Sequence, residues 1–168
     1  MTGSDLPSFW SMVIWGLLAT VAMTTVLQGA QGMGLSRLSL PFLAGTLFTG
    51  DRRWAMVVGF AVYVVGGWLF AFLYFLLFAS LGLFTWWFGA ALGLLHGLFL
   101  LVCGLPLLPY IHPRIASEYD GVSAVRQLEP PGFMGLNYGR RTPLTTLLGQ
   151  ALYGGVLGGL PQLQGWLG

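Results

Sequence analysis

Residues 54–78 of the chain read WAMVVGFAVYVVGGWLFAFLYFLLF, a run of 25 residues without a charged side chain. A helix needs about 20 such residues to cross the roughly 30 Å hydrocarbon core of a bilayer. Asp51 stands shortly before the run, where a short carboxylate can accept hydrogen bonds from the free N–H groups of a first helical turn. The run therefore predicts a transmembrane helix from Trp54 to Phe78.

Three further segments have the length of a transmembrane helix. They cover residues 9–28, 86–108 and 142–160. The last is the least apolar, because it contains Thr145, Thr146, Gln150 and five glycines, and it needs neighbouring helices to pack against. The predicted fold class is all-α, a polytopic transmembrane bundle of four helices that forms a single domain over residues 1–168.

The helices leave two long connections, residues 29–53 and 109–141. Within the first, residues 39–48 read SLPFLAGTLF. Ser39 or Leu40 would precede a helix here, Pro41 would open it, since proline is tolerated in the first turn, and Gly50 would end it. The segment predicts a short helix, apolar enough to lie at the membrane interface or to dip into the bundle.

The overall composition also favours a membrane protein. Hydrophobic residues make up 56% of the chain and charged residues 7%, whereas soluble domains carry roughly 25% charged residues. Seven scattered arginines do not form the basic, aromatic-rich surface that binds nucleic acid. Because Cys103 is the only cysteine, an intrachain disulfide and a cysteine-based metal site are both excluded.

All the basic residues fall in the two long connections, which a four-helix topology places on one side of the membrane. They are Arg37, Arg52, Arg53, Arg114, Arg126, Arg140 and Arg141. The positive-inside rule predicts cytoplasmic connections, with both termini outside the inner (plasma) membrane. The pairs Arg52–Arg53 and Arg140–Arg141, each just before a helix, are predicted to bind anionic lipid headgroups.

His96 is the ionisable residue predicted to lie deepest in a helix, together with Cys103, and intramembrane ionisable residues are functional candidates. One interpretation is axial ligation of a haem or chlorophyll-type pigment, for which a second histidine would have to come from another chain. The other is a neutral imidazole that makes a hydrogen bond to the next helix. The sequence leaves both open.

Two ridges of small residues are spaced for close helix packing. The first is Gly89, Gly93 and Gly97, and the second is Gly154, Gly155, Gly158 and Gly159. The ridges either pack within the bundle or form a docking face for another subunit.

The second long connection carries the remaining candidates, which are His112, Arg114, Phe133 and Tyr138. Its length favours a role beyond linking two helices. The aromatic residues on its Gly- and Pro-rich part, residues 128–139, either tuck under the bundle or contact a partner. No spacing of His, Asp and Glu predicts a metal site.

The segment order resembles that of small four-helix, multi-pass bacterial integral membrane proteins, a family with no assigned activity. The stretches that carry the resemblance are Gly67-Trp68 with Tyr74, His96-Gly97, Pro109 with residues 112–114, and residues 137–144. The resemblance covers most of residues 20–160 and implies a membrane fold, without an activity, a cofactor or site residues.

The leading functional hypothesis is a non-catalytic accessory or scaffold subunit of a larger membrane complex, such as one for respiratory or photosynthetic electron transfer. The four predicted helices contain no Asp or Glu and no protease-like constellation, so an enzyme is not expected. One alternative is a homo-oligomeric transporter or channel. Its lining would be Thr20, Thr24, Thr25, Gln28, His96 and Gln150. The other alternative is a haem- or pigment-binding protein that uses His96. The expected partners are membrane lipid and other membrane subunits or copies of this chain.

Overall fold

The computed structural model describes residues 9–117 and 121–167, with side chains described as far as residue 159. Over these residues the chain is all-helical and contains no β-strand. The α-helices are α1 (Phe9–Gly32), α2 (Leu40–Thr46), α3 (Arg52–Leu81), α4 (Trp86–Phe99), α5 (Leu105–Ile111) and α6 (Thr142–Leu167). A π-helical turn, Leu100–Gly104, joins α4 to α5, and a kinked 3₁₀ segment, Phe133–Tyr138, precedes α6.

Three helical stretches in the described part of the chain are long and apolar enough to cross a membrane, where the sequence predicted four. They are Phe9–Gly32, Arg52–Leu81 and Trp86–Ile111. With 26 residues α6 has the length, but it is not among these three. The physical reason is its composition, since Gln150, the threonines and the glycines lower the mean hydropathy of the helix despite its leucines.

The stretch Trp86–Ile111 continues past its predicted end at residue 108, with two prolines inside it. Pro106 has no N–H group to donate, and its ring would collide with the carbonyl four residues earlier in a regular helix. The π-helical turn lies immediately before it, and there the N–H of Leu105 donates to the carbonyl of Leu100, five residues back. This wider turn lets the helix continue through the prolines to Ile111.

The short helix α2 lies where the sequence predicted a helix, although it ends at Thr46. The hydroxyl of Ser39 accepts from the N–H of Phe42 at 3.4 Å and caps its start. In the same way, Asp51 Oδ1 accepts from the N–H of Trp54 at 2.9 Å at the start of α3. A Cβ added at Gly59 would lie 2.8 Å from the carbonyl carbon of Pro41, so α2 packs directly on the backbone of α3.

The chain divides into two compact units. The first unit comprises residues 1–26, 64–97 and 147–168, and the second comprises residues 27–63 and 98–146. Within the described residues, the first unit contains helical segments from α1, α3, α4 and α6. The second contains α2, α5, the π-helical turn and the two long connections, together with all seven arginines.

Candidate functional site

His96 lies in the first unit, on α4, and is partly exposed at the surface of the chain. Its Nδ1 is 3.2 Å from the hydroxyl oxygen of Tyr74 on α3. The ring of Phe70, one turn earlier on α3, packs on the imidazole with a centroid distance of 4.4 Å and an interplanar angle of 38°. These two contacts hold one ring nitrogen and one ring face, and Nε2 makes no hydrogen bond to any described residue.

Two aromatic rings hold Tyr74 in place. Its side chain is buried and meets the rings of Phe78 and Tyr153 edge-on, with centroid distances of 5.9 and 5.6 Å. The hydroxyl of Tyr153, on α6, donates to the backbone carbonyl of Gly67. An aromatic cluster from α3 and α6 therefore fixes the hydroxyl that contacts His96.

The sequence did not single out Tyr74, Phe70 or Tyr153 as site residues. A usable signal was present, because α3 and α4 are joined by a turn of only four residues, 82–85. Tyr74 lies 8 residues before this turn and His96 lies 11 residues after it, so an antiparallel pair of helices brings them to within about one helical turn of the same level. A polar residue at matching depth on a neighbouring helix is the expected partner of an intramembrane histidine.

The two glycine ridges pack against each other inside the first unit. A Cβ added at Gly89 would lie 2.8 Å from the carbonyl carbon of Gly154, and one added at Gly93 would lie 2.8 Å from that of Gln150. Only glycine permits helix backbones to approach this closely. Gly158 is equally confined, with the carbonyl carbon of Thr85 at 3.0 Å from the added atom.

The remaining ridge glycines lie at the edges of this contact. The added Cβ would be 3.1 Å from the side chain of Gln150 at Gly97, 3.6 Å from Ala90 at Gly155 and 3.3 Å from Trp86 at Gly159. The faces that the sequence offered for packing or for docking are thus covered by each other within the chain.

Gln150 is a buried amide at this helix contact, with 5% of its surface exposed. Its Oε1 has no hydrogen-bond partner among the described residues. The threonines proposed as a channel lining are satisfied by their own helix, since Thr20, Thr24 and Thr25 each donate to the carbonyl four residues earlier.

In the second unit, His112 joins the two long connections. It is 1% exposed, and its Nε2 lies 3.2 Å from the hydroxyl of Thr46 and 3.1 Å from the carbonyl oxygen of Leu43. Its Nδ1 accepts from the N–H of Arg114, whose guanidinium donates to the carbonyls of Thr46 and Leu47. Burial lowers the pKa of His112, the bond to the Leu43 carbonyl opposes this, and the charge of Arg114 lowers it further.

A second set of contacts in the same unit surrounds Tyr138. Its hydroxyl donates to the carbonyl of Glu129 at 2.6 Å, and its own carbonyl accepts from the N–H of Arg37 at 2.7 Å. Arg37 forms an ion pair with Glu129 at 3.1 Å. Burial, followed by the charge of Glu129, raises the pKa of Tyr138 to about 12, while Arg37 acts in the opposite direction.

These contacts divide the candidate residues of the second long connection into buried and exposed ones. His112 and Tyr138 are buried in the unit and do not form an outward contact surface. Arg114 is partly buried by its bonds to α2, whereas Phe133 is 62% exposed. The four arginines predicted to bind lipid, Arg52, Arg53, Arg140 and Arg141, are exposed, with no ion pair to a described acid.

No group of three or more His, Cys, Asp or Glu side chains in the described part of the chain is placed to hold a metal ion. Cys103 is exposed and makes no disulfide. The chemistry available at His96 is therefore that of one partly exposed imidazole, positioned by Tyr74 and Phe70, with Nε2 left without a described hydrogen-bond partner. No known protein family, curated protein or solved structure with which the chain was compared matches it.

Proposed function

We propose that the protein is an integral membrane protein in which α6 crosses the bilayer together with the three more apolar stretches. Over residues 142–159 of α6, where side chains are described, the exposed side chains are apolar, namely Leu144, Leu148 and Leu152. The polar residues Thr145, Thr146 and Gln150 in this part of the helix are buried. A helix of modest overall hydropathy can cross a membrane in this arrangement, because lipid meets leucine side chains and neighbouring helices cover the buried polar ones.

The proposed orientation places both long connections in the cytoplasm and both termini outside. The two connections contact each other in the second unit, through Arg37 with Glu129 and through the hydroxyls of Ser36 and Thr142 at 2.8 Å. Connections that touch lie on one side of a membrane, and they carry all seven arginines. The positive-inside rule then selects the cytoplasmic side of an inner (plasma) membrane.

Within that membrane, the proposed function is that of a non-catalytic subunit that binds another membrane protein at His96. The observation that carries this proposal is the partly exposed imidazole of His96, whose Nε2 makes no hydrogen bond to a described residue. In hydrocarbon no water is present to satisfy it, and an unsatisfied polar group there costs several kcal/mol. A second protein that offers a hydrogen bond at this position removes that cost.

The arrangement of protons indicates what kind of group His96 binds. Tyr74 is 5% exposed, and its hydroxyl has Nδ1 of His96 as its one hydrogen-bond partner among the described residues. If Tyr74 donates to Nδ1, the neutral imidazole carries its proton on Nε2 and presents an N–H outward. The matching partner is a backbone carbonyl or a hydroxyl oxygen on a helix of the other protein.

The same arrangement disfavours the haem or pigment alternative. An axial ligand needs the Nε2 lone pair, so the proton would move to Nδ1 and donate to Tyr74. The buried Tyr74 hydroxyl would then lose its acceptor, which costs about 1–3 kcal/mol. A transporter is likewise less well supported, because the hydroxyls of Thr20, Thr24 and Thr25 are used within α1.

The proposal is tested by purifying tagged variants from native membranes in mild detergent and quantifying the co-purifying membrane proteins by mass spectrometry. Loss of a hydrogen bond in a bilayer costs about 0.6–2 kcal/mol, so His96→Leu should lower recovery of the partner roughly 3- to 30-fold. His96→Gln keeps an N–H near the Nε2 position and should retain part of the binding. Leu95→Ala, a change at an exposed neighbour, controls for surface disturbance.

The three possible results have distinct meanings. Selective loss of one membrane protein in His96→Leu supports the proposal, and if that protein is a second copy of this chain, the subunit is its own partner. An equal loss in Leu95→Ala removes the special role of His96. An absorbance band in the purified wild-type protein that disappears in His96→Leu supports pigment binding instead and overturns the proposal.

A further inference from the structure

The segment from Phe133 to Arg141, in the second unit, combines exposed apolar and exposed basic side chains. Phe133 and Leu136 are 62% and 47% exposed. Arg140 and Arg141 are exposed, and neither forms an ion pair with a described acid. The next residue, Thr142, begins α6.

Two residues between Phe133 and Leu136 have positive φ angles, a backbone conformation that residues with side chains rarely adopt. Met134 has φ 54°, in the left-handed region that non-glycine residues avoid, and Gly135 has φ 70°. Between the exposed positions, Gly135 and Tyr138 are buried. Residues in such conformations persist where the surroundings fix them, and they concentrate at functional positions.

The surroundings do fix this segment. The Asn137 side chain donates to the carbonyl of Pro130 at 3.0 Å, and its backbone N–H donates to that of Pro131 at 3.1 Å. The backbone of Tyr138 and the carbonyl of Asn137 are both held by Arg37, from the first long connection. Hydrogen bonds to residues 130 and 131 and to Arg37 therefore hold the backbone next to the exposed apolar residues.

We propose that the segment Phe133–Arg141 is a binding surface for an anionic phospholipid at the cytoplasmic face of the membrane. Arg140 and Arg141 bind the phosphate of the headgroup, and Phe133 and Leu136 enter the boundary between headgroups and acyl chains. Apolar side chains beside basic ones are the arrangement with which peripheral segments hold anionic lipid. This inference rests on the proposed membrane location but not on the partner at His96.

Charge is the reason to choose lipid over a protein partner. The second unit holds all seven arginines and four of the five acids, so it carries an excess of positive charge. A negatively charged ligand matches this excess, and the surface lies directly before a helix proposed to enter the bilayer. Each arginine near an anionic membrane surface contributes about a 5-fold gain in binding, so the pair contributes roughly 30-fold.

The test is native mass spectrometry of the purified full-length protein in detergent that contains equal amounts of phosphatidylglycerol and phosphatidylcholine with the same acyl chains. We expect the wild-type protein to retain phosphatidylglycerol selectively. The double change Arg140→Gln with Arg141→Gln should reduce that retention by roughly 30-fold and leave phosphatidylcholine unchanged. Phe133→Ser with Leu136→Ser should reduce the retention of both lipids.

Two controls keep the test specific. Arg126→Gln removes one positive charge outside the segment, from a partly exposed arginine for which no lipid contact is proposed, so a loss equal to that of Arg141→Gln alone shows a general charge effect and overturns the proposed site. Val125→Ser changes an exposed apolar residue elsewhere in the same connection. If Phe133→Ser with Leu136→Ser removes a co-purifying protein and leaves lipid retention intact, the surface binds a protein and the proposal is wrong.

Discussion

Replacing Gly154 by alanine is expected to destabilise the packing of α6 on α4. The added Cβ would lie 2.8 Å from the carbonyl carbon of Gly89, closer still to its oxygen, and 3.1 Å from the backbone nitrogen of Gly93. These are backbone atoms of a helix, which cannot rotate aside as a side chain can. The helices must separate, and forced expansion of a packed interior costs about 1–3 kcal/mol.

Gly155 provides a matched control on the adjacent residue. A Cβ added there would lie 3.6 Å from the nearest atoms, which belong to Ala90 and Trp86 and are at ordinary van der Waals distance. Both variants gain the same helix propensity, about 0.5–1 kcal/mol for glycine to alanine. The difference in the free energy of unfolding between Gly154→Ala and Gly155→Ala therefore isolates the cost of the close approach.

The assay is reversible unfolding of the purified protein in mixed micelles of mild detergent and sodium dodecyl sulfate, followed by far-ultraviolet circular dichroism. We expect Gly154→Ala to unfold at a lower dodecyl sulfate fraction than the wild-type protein, and Gly155→Ala to match or exceed it. Equal stability of the two variants would refute the contact between the glycine ridges, and with it the packing of α6 described here.

Three further predictions concern the second unit and the start of α3. Because burial lowers the pKa of His112, the unfolded chain binds the proton more tightly, so the wild-type protein should lose stability as the pH falls below about 6.5. His112→Gln should weaken this pH dependence in the same unfolding assay, and an unchanged profile would contradict it. Gly135→Ala should lower the melting temperature of the protein, because it places a Cβ 2.9 Å from Leu105 at a residue with φ 70°. Met134→Gly should not lower it, because glycine tolerates the positive φ at this position. Thermal melts that show the reverse order would contradict this loop conformation. Asp51→Ala should lower the free energy of unfolding by about 1 kcal/mol through loss of the helix cap, while Asp51→Asn should restore most of it.

The long helices were predictable because their signal is local. An uncharged apolar run of more than 20 residues predicts each of α1 and α3 without information from the rest of the sequence. The caps at Ser39 and Asp51 are equally local, since each side chain bonds a backbone N–H three residues ahead. The same local criterion does not support the fourth crossing helix, because composition alone does not show which residues of α6 are covered.

What the sequence could not give are contacts between distant residues. His112 and Tyr138 stand on a long connection, and nothing nearby indicates that Thr46 and Arg37, 66 and 101 residues away, bury or hold them. The glycine ridges showed that helices approach closely, but not that the two ridges meet. The partner of His96 required the antiparallel pairing of α3 and α4, which sets Tyr74 at its level.

The most direct measurement for the central claim is native mass spectrometry of the tagged wild-type protein, extracted from its own membranes in mild detergent. We expect a complex whose mass exceeds that of the 18.2 kDa chain by at least one further membrane protein subunit. The recovery of that complex should fall roughly 3- to 30-fold when His96 is replaced by leucine. Recovery of the chain alone, with lipid as its only bound mass, would contradict the proposal that it is a subunit of a larger complex.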